Sequence, residues 1–234
     1  MGRGPLKLPY RWGVLHSMES FRRKYLDNWL QKDAAPFIRG KVLDVGGKKK
    51  QKRGSFNPDL IATDSWHYLN IDKTTGPDIL ADAANIPVEP GTYDTLILCE
   101  VLEHIEEPES VLAEAFRVLK PEGCCIITIP FLIPIHADPD DFTRLTNEKL
   151  RRILAKSGFD VKEVTTMGGV FSVISDLLRF AYVNRRKEFS GMSKLALKIL
   201  LPISRKIQFF DFASPCAASI ITTGYGVVAV KQPQ

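Results

Sequence analysis

The stretch KVLDVGG, residues 41–47, limits the fold of this chain more than any other. Val42, Leu43 and Val45 surround one acid, Asp44, and two glycines follow, Gly46 and Gly47. An apolar run ending in glycines predicts a short buried strand that enters a tight turn, with backbone that must come close to something. Parallel α/β folds bind ligands in such turns, at the carboxyl ends of their strands. The next strand-like run ends near Asp72, where a carboxylate suits the 2′- and 3′-hydroxyls of a ribose. The pair points to a nucleoside-cofactor site.

The rest of the chain alternates as such a fold requires. Strands are predicted at 42–45, 67–71, 78–80, 93–98, 124–129 and 159–165, and helices at 108–119 and 147–156. Pro108 suits a first helical turn, and Pro121 with Gly123 ends that helix. Thr146 is a good N-cap and Gly158 a good stop for the next. Apolar strands separated by helices mean a parallel sheet covered on both faces. Ahead of them, residues 17–33 predict a helix capped by Ser17 or Ser20, with Phe21, Tyr25 and Trp29 as a core-facing stripe. Residues 167–218 break the rhythm with apolar helices carrying Arg and Lys, the second interrupted at Pro202. GYGVVAVK, residues 224–231, reads as a last strand at the sheet edge.

Further acids follow the later strands. Asp82 lies just past the third, where its carboxylate can accept the exocyclic amine of adenine while the Ala83 N–H meets a ring nitrogen. Glu100 and His104 follow the fourth, and either is placed to touch a ligand. The loop PFLIPIHADPDDFTR, residues 130–144, is too long for a mere connector. Its His136 is the candidate general base, because imidazole titrates near neutrality. Asp138 or Asp141 can orient it, and Arg144 can hold an anionic substrate group.

Composition narrows the partners. The net charge of +5 in 234 residues favours an anionic ligand or surface only modestly. KKKQKR, residues 48–53, has little aromatic interleaving, so nucleic acid is not expected. Four cysteines without a CxxC pair predict neither a disulfide framework nor a zinc site, and no metal ligands are assigned. Without a membrane span or signal peptide, a cytoplasmic protein is expected, with residues 167–218 as a candidate contact for a membrane surface.

VLDVGG, YLNID, DILADAANIP, YDTLILCEVLEHIEEPESVLAEAFRVLKPEG and SGFDV together resemble the class I S-adenosylmethionine-dependent methyltransferases, most of all the type 11 methyltransferase-domain group, over residues 40–166. The resemblance implies an α/β, Rossmann-like seven-stranded sheet. Its strands would be mostly parallel, with the last antiparallel and inserted beside strand five. The whole chain, 1–234, would form one such domain, with 167–218 inserted where a hairpin is usual. It also implies S-adenosylmethionine as cofactor: Asp44, Gly46 and Gly47 at the methionine moiety, Asp72 at the ribose, Asp82 and Ala83 at the adenine, and Glu100 nearby. His104, Asp141 and Arg144 are then candidates for substrate contact. Lys48, Lys49 and Lys50 stand where the family usually continues with a further glycine. The loop around His136 is similar to that of a subgroup associated with bacterial cell-surface glycan and lipid-linked saccharide synthesis. The resemblance thus implies a small-molecule or saccharide acceptor. Two rival readings remain: a non-catalytic binding protein on the same fold, and a nicotinamide-dependent oxidoreductase, which lacks its GxGxxG here.

Overall fold

A computed structural model describes residues 19–50, 54–136, 140–184, 190–207, 210–211 and 220–233. Ser17, Asp138, Cys216, residues 51–53 of the basic run and parts of 167–218 lie outside the described residues. Seven strands form one sheet: β1 (Lys41–Val45), β2 (Ser65–Asn70), β3 (Ile79–Leu80), β4 (Tyr93–Cys99), β5 (Leu119–Pro130), β6 (Phe159–Met167) and β7 (Gly224–Lys231). Their spatial order is β3-β2-β1-β4-β5-β7-β6. The first five pair in parallel, and β7 runs antiparallel to both β5 and β6.

Alternation along the strands builds two apolar layers. Leu43, Val45, Leu96, Leu98, Ile127 and Val227 face one side, against α2 (Pro108–Val118) and α3 (Asn147–Lys156). Val42, Ile97, Ile126 and Val228 face the other, under α1 (Phe21–Trp29) and the π-helical turn Leu30–Ala34 that continues it. The expected helix over 17–33 is thus an α-helix that widens after Trp29. Ser20 caps it, its Oγ accepting from the Arg23 N–H at 3.1 Å. Phe21 and Trp29 are buried as expected of the stripe. Thr146 caps α3, and Gly158 follows it with φ of +90°.

Two local expectations are corrected. The strand at 224–231, read from its residues as an edge strand, lies inside the sheet beside β5, as the resemblance implies, and β6 forms that edge. The interior place suits its residues: Tyr225, Val227, Val228 and Ala229 are buried, and a Cβ on Gly226 would lie 2.6 Å from the Trp29 ring, so the missing side chain lets α1 pack closely on β7. The second helix of the insertion is not interrupted at Pro202 either, because α5 (Gly191–Ile207) runs through it. The proline forfeits one backbone hydrogen bond there, at a cost of about 3 kcal/mol in an isolated helix. Packing offsets it: Leu197, Leu201 and Ser204, one face at helical spacing, are buried beside α4 (Val170–Asn184).

The helical pair is fixed to the core by two acids that cap distant helices. Asp176 in α4 accepts from the N–H groups of Phe21 and Arg22 at 2.8 and 2.9 Å, at the start of α1. Asp211 accepts from the N–H groups of Gly169, Phe171 and Ser172, at the start of α4. Each satisfies amides that a helix N-terminus leaves without partners. The outer face is different: Met192, Leu195, Ile199, Leu200 and Ile203 of α5 are exposed, as are Ile174 and Leu177 of α4. A hollow between the two helices is lined by Tyr182, Lys198, Leu201, Pro202, Arg205 and Lys206. Among the described residues, no helix is long and apolar enough to cross a membrane.

Candidate cofactor and acceptor site

The carboxyl ends of β1, β2 and β4 gather the expected cofactor residues. Gly46 turns the chain out of β1 with φ of +77°, a conformation costly for any other residue. Its N–H donates to the Leu69 carbonyl, and a Cβ there would lie 2.6 Å from Val101 Cγ2. A Cβ on Gly47 would collide with the Asp44 carboxylate, 2.5 to 2.7 Å away. Neither position has room for a Cβ beside Val101 and Asp44, so the turn is bare backbone at the carboxyl end of β1, as close approach of a ligand requires. Asp44 also accepts from Trp66 Nε1 at 3.4 Å.

A residue the sequence reading passed over holds this turn. Buried Asn70 donates from Nδ2 to the carbonyls of Gly46 and Gly47, both at 3.1 Å, while its Oδ1 accepts from the Asp72 N–H. Two of the three lysines that follow are engaged beside the turn. Lys49 pairs with Asp78 and lies over the Tyr68 ring, and the Lys50 N–H donates to the Thr75 carbonyl. They brace the turn against the β2–β3 connection.

Asp72 and Asp82 are exposed at the same edge. Asp72 caps the turn Lys73–Thr75, accepting from the Thr74 N–H and hydroxyl, both at 2.8 Å. The backbone bond first, then the hydroxyl, holds its carboxyl below the usual carboxylate range. Asp82 accepts from the Ala84 N–H at 2.9 Å, which leaves the adjacent Ala83 amide on the same turn.

Glu100 stands where it was expected, but its carboxylate is engaged. Arg22 in α1 reaches the end of β4 and binds both of its oxygens, and the Thr128 hydroxyl donates to Oε1 at 3.1 Å. Burial works against the charge, yet Arg22 outweighs it and holds the Glu100 carboxyl below its ordinary value. The backbone at Glu100 has φ of +55°, rare outside glycine, and strain of this kind concentrates at functional sites. Arg22 itself is buried and also donates to the Met167 sulfur at 2.9 Å.

The loop after β5 folds back onto the LEHI turn. The Phe142 N–H donates to the Glu103 carbonyl at 2.8 Å, and His104 Nδ1 meets the Asp140 carbonyl. His104 and His136 are thereby brought together, ring centroids 5.2 Å apart and nearly perpendicular. Asp141 lies beside His136: its Oδ2 accepts from the His136 backbone N–H at 2.9 Å and lies 3.4 Å from Nδ1. Arg144 spends its guanidinium on a two-pronged bond to Asp141. That contact gives Arg144 an internal partner beside its expected role with an anionic substrate group.

Glu103 is the member that sequence reasoning missed. It is fully buried, and neither carboxylate oxygen has a hydrogen-bond partner. Burial first, then the neighbouring Glu100 charge, pushes its pKa well above the ordinary value. Burial likewise lowers the His136 pKa, partly offset by Asp141. An acid directly beside a histidine, just past a strand's carboxyl end, was the available signal. The exposed apolar side chains Leu132, Ile135 and Phe142 belong to the same loop as His136.

Comparison with known proteins agrees with this geometry. Residues 53–127 match the model of a family described as a methyltransferase domain. A ubiquinone biosynthesis O-methyltransferase of Bos taurus is 30% identical over 153 residues, 53% of this chain and 41% of that protein. A demethylmenaquinone methyltransferase of Renibacterium salmoninarum is 31% identical over 103 residues, 41% of this chain and 44% of that protein. The chain thus spans less than half the length of these curated relatives. Among solved structures, the cyclase SpnF superposes with a TM-score of 0.56 at 17% identity, covering 89% of this chain and 81% of that one. Phosphoethanolamine N-methyltransferase 2 of Haemonchus contortus, in complex with S-adenosyl-L-methionine, gives 0.53 at 18% identity, over 89% of this chain and 52% of that one. These two show a shared fold. The sheet order is thus that of a class I methyltransferase fold, and residues 53–127 are similar to a methyltransferase domain.

Proposed function

We propose that the chain is an S-adenosylmethionine-dependent methyltransferase acting on a hydroxyl of a small, largely apolar acceptor. The observation that carries this reading is one of placement. The glycine turn touches Val101, and two residues further on Glu103 begins a buried cluster with His104 and His136. A cradle for a nucleoside cofactor and a group able to take a proton therefore adjoin.

The cofactor supplies an electrophilic methyl group on sulfur, and the C–S electron pair remains with the sulfur. The chain must hold the parts in line, exclude water and remove the acceptor's proton. Gly46 and Gly47 would admit the methionine end, Asp72 would accept from the ribose hydroxyls, and Asp82 with Ala83 would meet the adenine. The Glu103–His104–His136 cluster would receive the proton as the acceptor oxygen gains its methyl. Asp141 and Arg144 hold His136 in place for that task.

Leu132, Ile135 and Phe142 favour an acceptor with an apolar body over a bare saccharide, since exposed apolar groups gathered on one loop mark binding surface. The relatives named for ubiquinone and menaquinone synthesis support the same choice. The test is methyl transfer from labelled cofactor to prenylated phenols and quinols, with nucleotide sugars and lipid-linked saccharides in parallel. Label in the phenols is the expected result. Label only in the saccharides would move the acceptor to the glycan class. No turnover and no adenosylhomocysteine binding would leave a non-catalytic protein. Asp72→Ala is expected to weaken adenosylhomocysteine at least about tenfold in calorimetry, the loss of one well-placed charge-assisted contact. Equal affinity would refute the ribose assignment, and binding of NAD instead would restore the oxidoreductase reading.

The exposed apolar face of α4 and α5, with Lys198, Arg205 and Lys206 beside it, suits a peripheral site on an anionic membrane, where an apolar acceptor would be met. Co-sedimentation with phosphatidylglycerol vesicles at low salt is expected. No binding there sinks the membrane contact without touching the catalytic reading.

A further inference from the structure

We propose that Glu103, His104 and His136 form a binding site for a divalent transition-metal ion. The argument begins with a buried group that has no partner. Glu103 is 0% exposed, and neither carboxylate oxygen is hydrogen-bonded. An unpaired polar group so placed costs free energy unless something absent from the protein itself satisfies it, such as an ion.

Two imidazole nitrogens face that carboxylate. His104 Nε2 lies 3.7 Å and His136 Nε2 3.8 Å from Glu103 Oε1. These separations are too long for hydrogen bonds. They suit atoms bridged by a cation, whose bonds to histidine nitrogen and carboxylate oxygen are each about 2.0–2.2 Å. One ligand atom from each of the three residues lies within 4.8 Å of the others.

The far side of each ring has an acceptor nearby. His104 Nδ1 faces the Asp140 carbonyl, which can only accept, so the proton sits on Nδ1 and the Nε2 lone pair is free to bind. Behind the other ring, Asp141 Oδ2 lies 3.4 Å from His136 Nδ1, an atom that has no hydrogen-bond partner as the structure stands. Asp141 is itself held by Arg144 and by the His136 N–H. A carboxylate or carbonyl behind a histidine is the usual support of a bound metal.

The donor set selects the class of ion. Two imidazoles with one carboxylate suit zinc or iron(II), whereas magnesium and calcium prefer oxygen alone. Three protein ligands leave at least one position open. Resting on the methyl-transfer reading, that position would take the acceptor oxygen: the cation favours its ionised form, and the proton leaves to solvent. The ion would thus specify how the cluster removes the proton.

The test needs neither cofactor nor acceptor, so it stands or falls apart from the methyl-transfer reading. Zinc is titrated by calorimetry into the tag-free full chain freed of metal by chelator. One equivalent bound with micromolar or tighter Kd is expected, and magnesium should bind far more weakly. Glu103→Gln, His104→Ala and His136→Ala should each weaken zinc at least about tenfold. Cobalt(II) bound to the unaltered chain should show visible ligand-field bands of a nitrogen- and oxygen-ligated site, a readout that holds even if a variant fails to fold. No stoichiometric zinc binding, equal affinity in all three folded variants, magnesium binding as tight as zinc, or cobalt bands absent would each overturn the site.

Discussion

Arg22→Met is expected to lower the stability of this protein by about 3–5 kcal/mol, the cost of leaving one member of a buried ion pair without its partner. The side chains of Arg22 and Glu100 are only 5% and 15% exposed, so water cannot replace the guanidinium. The same substitution removes the donor to Met167 that ties α1 to the end of β6. Urea unfolding followed by circular dichroism measures the loss. Thermal unfolding should fall by about 10 °C for a chain of this length. The double variant Arg22→Met/Glu100→Gln should recover part of it, since the uncompensated charge is then gone and the two effects do not add. An Arg22→Met protein as stable as the parent would mean that the pair contributes nothing.

His136→Ala is expected to reduce kcat by about 10²- to 10⁴-fold, the range over which positioned proton transfer contributes. Adenosylhomocysteine affinity should stay nearly unchanged, because the close partners of this side chain are Glu103, His104 and Asp141 rather than the glycine turn, Asp72 or Asp82. The loss follows if His136 takes the proton itself, and equally if it holds a cation that acidifies the acceptor. Zinc titration separates these two cases. Groups that act as a unit are not additive, so Glu103→Gln/His136→Ala should be about as slow as the slower single variant. Unchanged turnover in His136→Ala would remove the cluster from the chemistry.

Much of this architecture could be read from residue patterns because its causes are local. The strand at 41–45 announces itself by Val42, Leu43 and Val45, and α3 by Thr146 before it and Gly158 after it. Asp44, Asp72, Asp82 and Glu100 share one sheet edge because each stands at or just past the carboxyl end of a parallel strand, in the spatial order Asp82, Asp72, Asp44, Glu100. What escaped has causes that lie far away in sequence. Arg22 is one basic residue among several on a helix, and only the fold brings it to Glu100. Glu103 resembles any acid beside a histidine until its burial is known. Asn70 looks like a strand-end residue until its amide is seen clamping Gly46 and Gly47. The place of β7 beside β5 came from the resemblance alone, and the packing of Gly226 against Trp29 is a contact that nothing near residue 226 reveals.

That interior position also governs the order in which the chain can assemble. β6 has β7 as its neighbour in the sheet and does not pair with β5, although β5 and β6 precede β7 in the sequence. As the chain leaves the ribosome, β1 to β5 can pair while β6 still lacks its partner strand. The two helices between them must also emerge before β7 can arrive and close the gap. Pairings so distant in sequence form late and slowly. Until then the open side of β5 is a bare strand edge, the kind of surface that attracts other chains. β7 therefore acts as a keystone: the sheet closes only when this strand slides between two neighbours that were made before it.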